Sequence, residues 1–202
     1  MAGMKDHMLL DIPEALEGPR VTVRRLRAGD GPSVNEAICE SREALKVWMP
    51  WAVQQPTLEE SESFVRRSGA KWWSREDLGM SIWRRGDGRY LGGTGLHRID
   101  WDLRKFEIGY WMRVSEQGQG YVTETVLLLC ELCFGTLDAN RVHIRCAVEN
   151  ERSAAIPRRV GFTFEGVLRN DIVDPKGAVH DVYSFSMTPE DWRTRTRSKV
   201  PV

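Results

Sequence analysis

The sequence predicts a single α+β domain in which about seven strands form a mixed, mostly antiparallel sheet flanked by about four helices. The chain has 202 residues, of which 41% are hydrophobic, and this suffices for one large domain with its own core. Segments whose apolar residues recur at every second position, as in strands, alternate with segments whose apolar residues recur at the three- and four-residue spacing of helices. No repeat or low-complexity linker interrupts them, so we expect one domain at residues 20–192, an N-terminal extension at 1–19 and a basic tail at 193–202.

Seven short segments alternate between apolar and polar residues, as half-buried strands do. Arg85-Gly86-Asp87-Gly88 separates the second segment from the third and has the glycines that a tight hairpin turn needs. Asp174-Pro175-Lys176-Gly177 marks a second hairpin between the last two segments. In chain order, the predicted strands cover residues 20–26, 78–84, 89–99, 105–112, 141–148, 162–168 and 179–187.

Four segments carry apolar residues at the three- and four-residue spacing of helices. Thr57 and Glu60 have the spacing of a capping box, which predicts where the second helix begins. Gly161 predicts the end of the fourth helix, and Pro157 within that helix predicts that it is short or kinked. In chain order, the predicted helices cover residues 30–45, 57–74, 122–133 and 150–160.

The composition argues against three kinds of partner. Basic and acidic residues number 29 each, so the positive charge typical of nucleic-acid binding is missing. No apolar run approaches the roughly 20 residues of a membrane span. Acidic residues are scattered through the N-terminal segment, which argues against a signal peptide there. Cys130 and Cys133 form a CxxC pair without flanking histidines, so no metal is expected. We therefore expect a cytoplasmic protein with reduced cysteines.

The most informative segment lies between the predicted strand at 105–112 and the helix that follows. Gly118 and Gly120 allow a tight turn there, so that several backbone N–H groups can converge on an anion at the start of the helix. No Lys-Ser or Lys-Thr follows the glycines, as in a Walker loop, and the third glycine of a dinucleotide fingerprint is missing. From these residues alone, a plain glycine turn and an anion site both remain open.

A wider set of residues resembles the GNAT superfamily of N-acetyltransferases, specifically its RimJ/RimL branch. The likeness also includes the predicted first strand, VTVRRLRAGD at 21–30, and the segment Trp48-Met49-Pro50-Trp51. The motif residues are Tyr110-Trp111, Gln117-Gly118-Gln119-Gly120-Tyr121, Thr123-Glu124, Glu149-Asn150, Ser153 and Gly161-Phe162.

The resemblance implies that acetyl-CoA is the co-substrate and that the backbone amides of residues 117–122 hold its pyrophosphate. It also implies a splayed strand pair, with the pantetheine arm in the gap between residues 111–114 and 146–150 and bonded to Asn150. An unpaired strand edge needs hydrogen-bond partners, and an amide-bearing ligand supplies them. The implied cofactor-binding residues are Trp111, Met112, Arg113, Val114, Gln117, Gly118, Gln119, Gly120, Tyr121, Val122 and Asn150.

The catalytic expectations also follow from the resemblance. Many members place a tyrosine acid where this chain has Pro157, so Ser153 is expected to protonate the departing thiolate. Ser115 stands where the usual motif has Gln or Arg, which removes one side-chain donor. Glu107 is the first candidate for the general base and Asp171 the second, with a water relay as an alternative. Glu107 could instead be a structural carboxylate paired with Arg104 or Arg113.

The function implied is transfer of an acetyl group to a primary amine by direct attack in a ternary complex. The acceptor is either a protein N-terminal α-amine or a small-molecule amine. Four tryptophans lie where relatives form the acceptor lid, although most are expected in the core: Trp48, Trp51, Trp72 and Trp73. The alternative function is a catalytically weak CoA-binding sensor or assembly module. A homodimer is an expectation from the resemblance alone.

Overall fold

The computed structural model describes residues 6–197 and contains one eight-stranded sheet, with the strand order β1-β2-β3-β4-β5-β6-β8-β7. All neighbouring strands are antiparallel except β5 and β6, which run parallel. The mixed, mostly antiparallel sheet is therefore confirmed. The strands are β1 (Ala15–Glu17), β2 (Val21–Arg25), β3 (Leu78–Arg84), β4 (Tyr90–Asp100), β5 (Lys105–Met112), β6 (Arg141–Ala147), β7 (Thr163–Val173) and β8 (Val179–Met187).

Five α-helices accompany the sheet in the described part of the chain, and the third continues into a π-helical turn at Leu132–Thr136. Thr57 Oγ1 accepts a hydrogen bond from the Glu60 amide, and the Glu60 carboxylate accepts one from the Thr57 amide, so the predicted capping box forms. The helices are α1 (Gly31–Leu45), α2 (Leu58–Trp73), α3 (Tyr121–Glu131), α4 (Glu151–Val160) and α5 (Pro189–Arg197).

Each predicted strand and helix is present, and the sequence-based prediction missed one strand and one α-helix. β1 is only three residues long, too short to show an alternating pattern, and it pairs with β2 from within the expected N-terminal extension. α5 has few apolar residues and crosses the expected start of the basic tail. The boundaries at 20 and 192 stay predictions, and residues 198–202 of the tail lie outside the described part.

Helices cover both faces of the sheet. On one face, Val126 and Leu129 of α3 pack against Phe106 and Ile108 of β5, all of them buried. On the other face, α1 and α2 pack over a smaller cluster around Tyr90. Fully burying one such large apolar side chain contributes about 1.5–3 kcal/mol, so these two layers hold the sheet from both sides. No helix in residues 6–197 is long and apolar enough to cross a membrane.

Candidate active site

The parallel strands β5 and β6 separate partway along their length. They pair only where Lys105–Glu107 faces Arg141–His143. Beyond that point β5 continues along β4 and β6 continues along β8, so each strand keeps one neighbour. On the side facing the gap, the backbone groups of residues 108–112 therefore have no ladder partner within the described chain. The splayed strand pair is thus confirmed, and it opens a cleft in the middle of the sheet.

At the end of this cleft, the loop before α3 presents a group of backbone amides. Gly118 and Gly120 have φ angles of +77° and +82°, in the left-handed region that favours glycine. Gly120 is the N-cap of α3, and no side chain caps that helix. In the part of the chain that the structure describes, the amides of residues 118–120 donate no hydrogen bond. A diphosphate fits here, since free amides and a helix N-terminus both favour an anion.

Glu124 fixes this loop to the start of β2. Its Oε1 accepts hydrogen bonds from the backbone amides of Arg20 at 2.7 Å and Val21 at 3.1 Å, and its Oε2 pairs with the Arg20 Nε at 2.8 Å. The Arg20 guanidinium also donates to the Gln119 carbonyl at 2.9 Å. The first turn of α3 and the glycine loop are therefore held in one position before any ligand binds.

Three arginines lie beside the loop. Arg20, Arg159 and Arg195 line an open cavity of about 860 Å³ next to Gly118 and Gly120. Glu124, the partner of Arg20, and Glu131 line the cavity too, so one net positive charge is left among these side chains to favour a further anionic group of the same ligand.

Ser153 lies at the cleft with two other protic groups. Asn150 caps α4 by accepting a hydrogen bond from the Ser153 amide at 3.1 Å, which fixes the serine on the first turn. The Tyr110 hydroxyl donates to the Ser153 carbonyl at 2.9 Å and lies 3.3 Å from the Ser153 Oγ. Burial raises the pKa of Tyr110 well above its usual value, so the phenol keeps its proton.

Cys146 completes this group. Burial raises the pKa of its thiol, while a hydrogen bond with Ser153 acts in the opposite direction. The cleft thus holds a hydroxyl, a phenol and a thiol, all protonated, where the sequence predicted a single proton donor. Sequence reasoning used Tyr110 only as a motif residue, because the contact that gives it a role spans 43 positions of the chain.

Glu107 lies where β5 and β6 last pair, between one histidine and two arginines. His143 Nε2 is 2.9 Å from its carboxylate, Arg145 Nε 3.0 Å and Arg98 Nη1 3.2 Å. Burial acts to raise the pKa of Glu107, but the hydrogen bond with His143 and the charge of Arg98 outweigh it and leave the pKa below its ordinary value. Asp171 belongs to the same cluster through Arg145. Both predicted carboxylate bases are thus ion-paired, although not to the expected Arg104 or Arg113.

The end of β5 is attached to α1. Arg113 is buried, and its guanidinium pairs with Glu36 at 2.8 Å and Glu40 at 3.1 Å. The Val114 amide donates to Ser41 Oγ at 2.9 Å. These bonds turn the Arg113 side chain toward α1 and occupy the Val114 amide.

Further contacts limit what this part of the chain offers a ligand. The Gln117 side chain donates to the Met112 carbonyl at 3.3 Å. Trp111 lies on the face of the sheet that α1 and α2 cover, in the cluster around Tyr90. The Arg113 amide is also occupied, because it donates to the Leu91 carbonyl at 2.7 Å. Of the residues expected to hold the pantetheine arm, the side chains of Trp111 and Arg113 and the amides of Arg113 and Val114 are therefore not available to it.

A second cavity, of about 620 Å³, lies between α1, α2 and the sheet. Its walls are largely apolar and aromatic, and Gly109, Tyr110 and Trp111 of β5 line one side of it. Of the four tryptophans named from the sequence, only Trp51 lines it, 5.8 Å from Trp111 between ring centroids. Asp77 and His97 also line it and lie 2.7 Å apart, a pair that sequence reasoning missed. Among the described residues, no group of three or more His, Cys, Asp or Glu could hold a metal ion.

Comparison with known sequences relates the chain to acetyltransferases. A family model described as "Acetyltransferase (GNAT) domain" matches residues 20–163. The chain is 32% identical over 175 residues to the Bacillus subtilis (strain 168) protein named "Putative ribosomal N-acetyltransferase YdaF", covering 85% of this chain and 93% of that protein. It is 26% identical over 136 residues to the ribosomal-protein-serine acetyltransferase of Escherichia coli (strain K12), covering 66% and 74%.

Comparison with solved structures gives the same fold. A crystal structure described as a probable acetyltransferase superposes with a TM-score of 0.82 at 28% identity, covering 88% of this chain and 98% of that one. RimL, a ribosomal L7/L12 α-N-protein acetyltransferase in complex with coenzyme A, superposes with a TM-score of 0.80 at 22% identity, covering 89% and 98%. At that identity, the likeness to RimL supports the fold alone.

Proposed function

Since the chain belongs to the GNAT family of acetyltransferases, we propose that it transfers the acetyl group of acetyl-CoA to the α-amine of a protein N-terminus. The observation that carries this proposal is the set of free amides at residues 118–120, placed at the end of a gap between two splayed strands. An anion cradle next to an unpaired strand edge suits a ligand that has a diphosphate at one end and amide groups along its arm.

Each part of the cleft has a place in this function. The amides of residues 117–122 would hold the pyrophosphate, and Asn150 Nδ2, which has no partner in the described chain, would donate to the arm. Hydrogen bonds to charged groups contribute about 1.5–3 kcal/mol each, so three or four suffice to hold the diphosphate without a lysine. Acetyl-CoA supplies, when bound, the thioester carbonyl that an amine attacks. A backbone N–H near Met112 would polarise that carbonyl.

Ser153 is proposed to return a proton to the sulfur. Its Oγ donates to the Tyr110 hydroxyl at 3.3 Å, and this contact, together with the phenol's own hydrogen bond to the Ser153 carbonyl, fixes the position of the serine hydroxyl. A thiolate that receives a proton as it leaves does not build up charge in a half-buried cleft. The Ser153 hydroxyl fits this role because the Asn150 cap fixes its backbone.

A protein α-amine is favoured as the acceptor for two reasons. The Bacillus and Escherichia relatives are named as acetyltransferases of ribosomal proteins. An α-amine has a pKa near 7.7 and a lysine near 10.4, so deprotonation at pH 7 costs about 1 kcal/mol for the first and about 4.6 kcal/mol for the second. The α-amine therefore needs only a modest base. A small-molecule amine is the other acceptor class, and the 620 Å³ cavity has room for one.

The experiment is a transfer assay with a panel of acceptors. The purified chain is mixed with acetyl-CoA and with N-terminal peptides of ribosomal proteins, lysine peptides or small amines, and thiol release and acetylated product are both measured. We expect α-amine peptides to give the highest kcat/KM. Saturable CoA binding without transfer to any acceptor would instead favour a CoA-binding sensor or assembly module. Absence of CoA binding would refute the proposal.

A further inference from the structure

His97 occupies a site on β4 that two glycines keep open. Gly95 and Gly109 are cross-strand partners, two residue pairs along the ladder from His97 and its own partner Glu107. A Cβ atom on Gly95 would lie 3.1 Å from the His97 Cε1, and one on Gly109 would lie 2.9 Å from Cδ2 and 3.2 Å from Nε2. Any other residue at Gly109 would push the ring aside, whereas a side chain at Gly95 would first meet the backbone of β3, with the Leu78 carbonyl oxygen at 2.7 Å. The backbones of β4 and β5 therefore hold the imidazole against the sheet.

Asp77 orients this imidazole. Its Oδ2 lies 2.7 Å from His97 Nδ1, which assigns the proton of the neutral ring to Nδ1 and leaves the lone pair on Nε2. Both side chains are about one-third exposed, at 36% and 30%, so the pair is held in place yet open to the cavity. A histidine with its second nitrogen bonded to a carboxylate is the arrangement that a general base requires.

The free nitrogen also lies at the right place along β5. A Cβ added to Gly109 would lie 3.2 Å from Nε2, and Gly109 is two residues beyond Glu107, where β5 and β6 last pair. His97 therefore lies across β4 and β5 from Glu107, at the point where β5 and β6 begin to separate. The cavity that His97 lines has Gly109, Tyr110 and Trp111 in its wall, and the same three residues border the cleft from the other side. An amine in the cavity and a thioester in the cleft would meet at this stretch of β5.

From this geometry we infer that His97, oriented by Asp77, is the general base that deprotonates the acceptor amine inside the 620 Å³ cavity. The inference rests on the proposed function. His97 Nε2 takes one proton from the ammonium, and the amine nitrogen then forms the C–N bond to the acetyl carbon. As the C–S bond breaks, Ser153 gives its proton to the sulfur, and the second proton that the nitrogen loses restores the Ser153 hydroxyl. The products are an acetylated amine, CoA thiol and one proton, which His97 releases to solvent.

Glu107 is less suited to this role than His97. Its carboxylate is already bonded to His143, Arg145 and Arg98, and these hydrogen bonds and the charge of the arginines stabilise its charged form. A base held this way has little tendency to take a proton. His97 Nε2, by contrast, has no hydrogen-bond partner among the described residues.

The test compares four variants on the best α-amine peptide. His97→Gln removes the proposed base, and Asp77→Asn removes the carboxylate that orients the imidazole. Glu107→Gln removes the alternative base. His7→Gln is the matched control, because His7 is similarly exposed at 38% and also neighbours an aspartate, but it stacks on Trp101 away from the cavity. Thermal unfolding and CoA titration establish that each variant is folded and binds CoA.

We expect His97→Gln to lower kcat at least 100-fold, with CoA affinity within about twofold of the wild type. In a fifth variant, His97→Gly, added imidazole should restore part of the activity.

A second readout is independent of turnover. In the CoA-bound protein, the imidazole NMR signals of His97 should shift when the acceptor peptide is added, and Asp77→Asn should alter the tautomer they report. The inference is overturned if the wild type is active but His97→Gln retains more than one-third of the wild-type kcat. It is also overturned if the His97 imidazole signals do not shift when the acceptor peptide is added. A wild type that acetylates no amine would overturn the proposed function itself.

Discussion

Replacing Gly120 with valine should separate the role of the glycine loop in folding from its role in binding. Gly120 has a φ of +82°, and Gly177, in the turn between β7 and β8, has +87°. A side chain in the left-handed region costs about 1–2 kcal/mol, and a β-branched one costs somewhat more. Nothing lies within 4 Å of a Cβ on Gly177, and only the flexible end of Arg20 lies near one on Gly120, at 3.3 Å. The two variants should therefore lose similar free energies of unfolding.

Only Gly120→Val should lose affinity for CoA. A branched side chain there occupies the space in front of the loop amides. Loss of two amide–phosphate hydrogen bonds, at about 1.5–3 kcal/mol each, would weaken binding by about 3–6 kcal/mol, or about 100-fold and more. Isothermal titration with CoA measures the affinity, and urea unfolding measures the stability. If Gly120→Val and Gly177→Val bind CoA equally well, residues 117–122 do not hold the diphosphate.

Three further predictions concern individual side chains. Ser153→Ala should lower kcat about 10- to 100-fold and change the CoA affinity little, because the hydroxyl acts on the leaving sulfur. Glu124→Ala should lower the free energy of unfolding by about 2–4 kcal/mol in urea, since the backbone amides of Arg20 and Val21 lose their acceptor. Glu165→Gln should destabilise the protein at pH 7 and progressively less below pH 5. The hydrogen bond from Arg141 lowers the pKa of Glu165 from 4.5 to about 2, so the stabilisation is present above the higher value and lost as the pH falls through the lower one.

Each of these predictions has a result that contradicts it. Unchanged turnover in Ser153→Ala would assign protonation of the sulfur to solvent or to Tyr110 directly. Glu124→Gln keeps one oxygen acceptor, so a loss as large as that of Glu124→Ala would point to packing rather than hydrogen bonding. A Glu165→Gln difference that stays constant between pH 7 and pH 3 would mean that the ion pair with Arg141 does not contribute.

Local patterns in the sequence predicted most of the elements of this fold. Apolar period alone located seven strands and four helices, and the Thr57–Glu60 pair located one helix start to the residue. Gly118 and Gly120 identified the loop, because positive φ angles require glycine there. Each of these signals is confined to neighbouring residues. β1 escaped notice because three residues carry no measurable period.

The site itself was only partly predictable. The motif pointed to Ser153 and to the glycine loop, which the structure places at the same cleft. It gave no indication that Tyr110 contacts Ser153, or that Glu107 is bonded to one histidine and two arginines. These contacts depend on where β5 and β6 stop pairing, which no local period encodes.

By itself the sequence determined which segments are strands and helices, and where the backbone must turn through a left-handed angle, because those properties depend on residues a few positions apart. The tertiary structure alone decided that Asp77 meets His97 across 20 positions and that both face one cavity. Strand order and register bring such residues together, and they result from the packing of the whole sheet. A lone histidine in a strand pattern acquires a partner, and with it a chemical role, only when the sheet has formed.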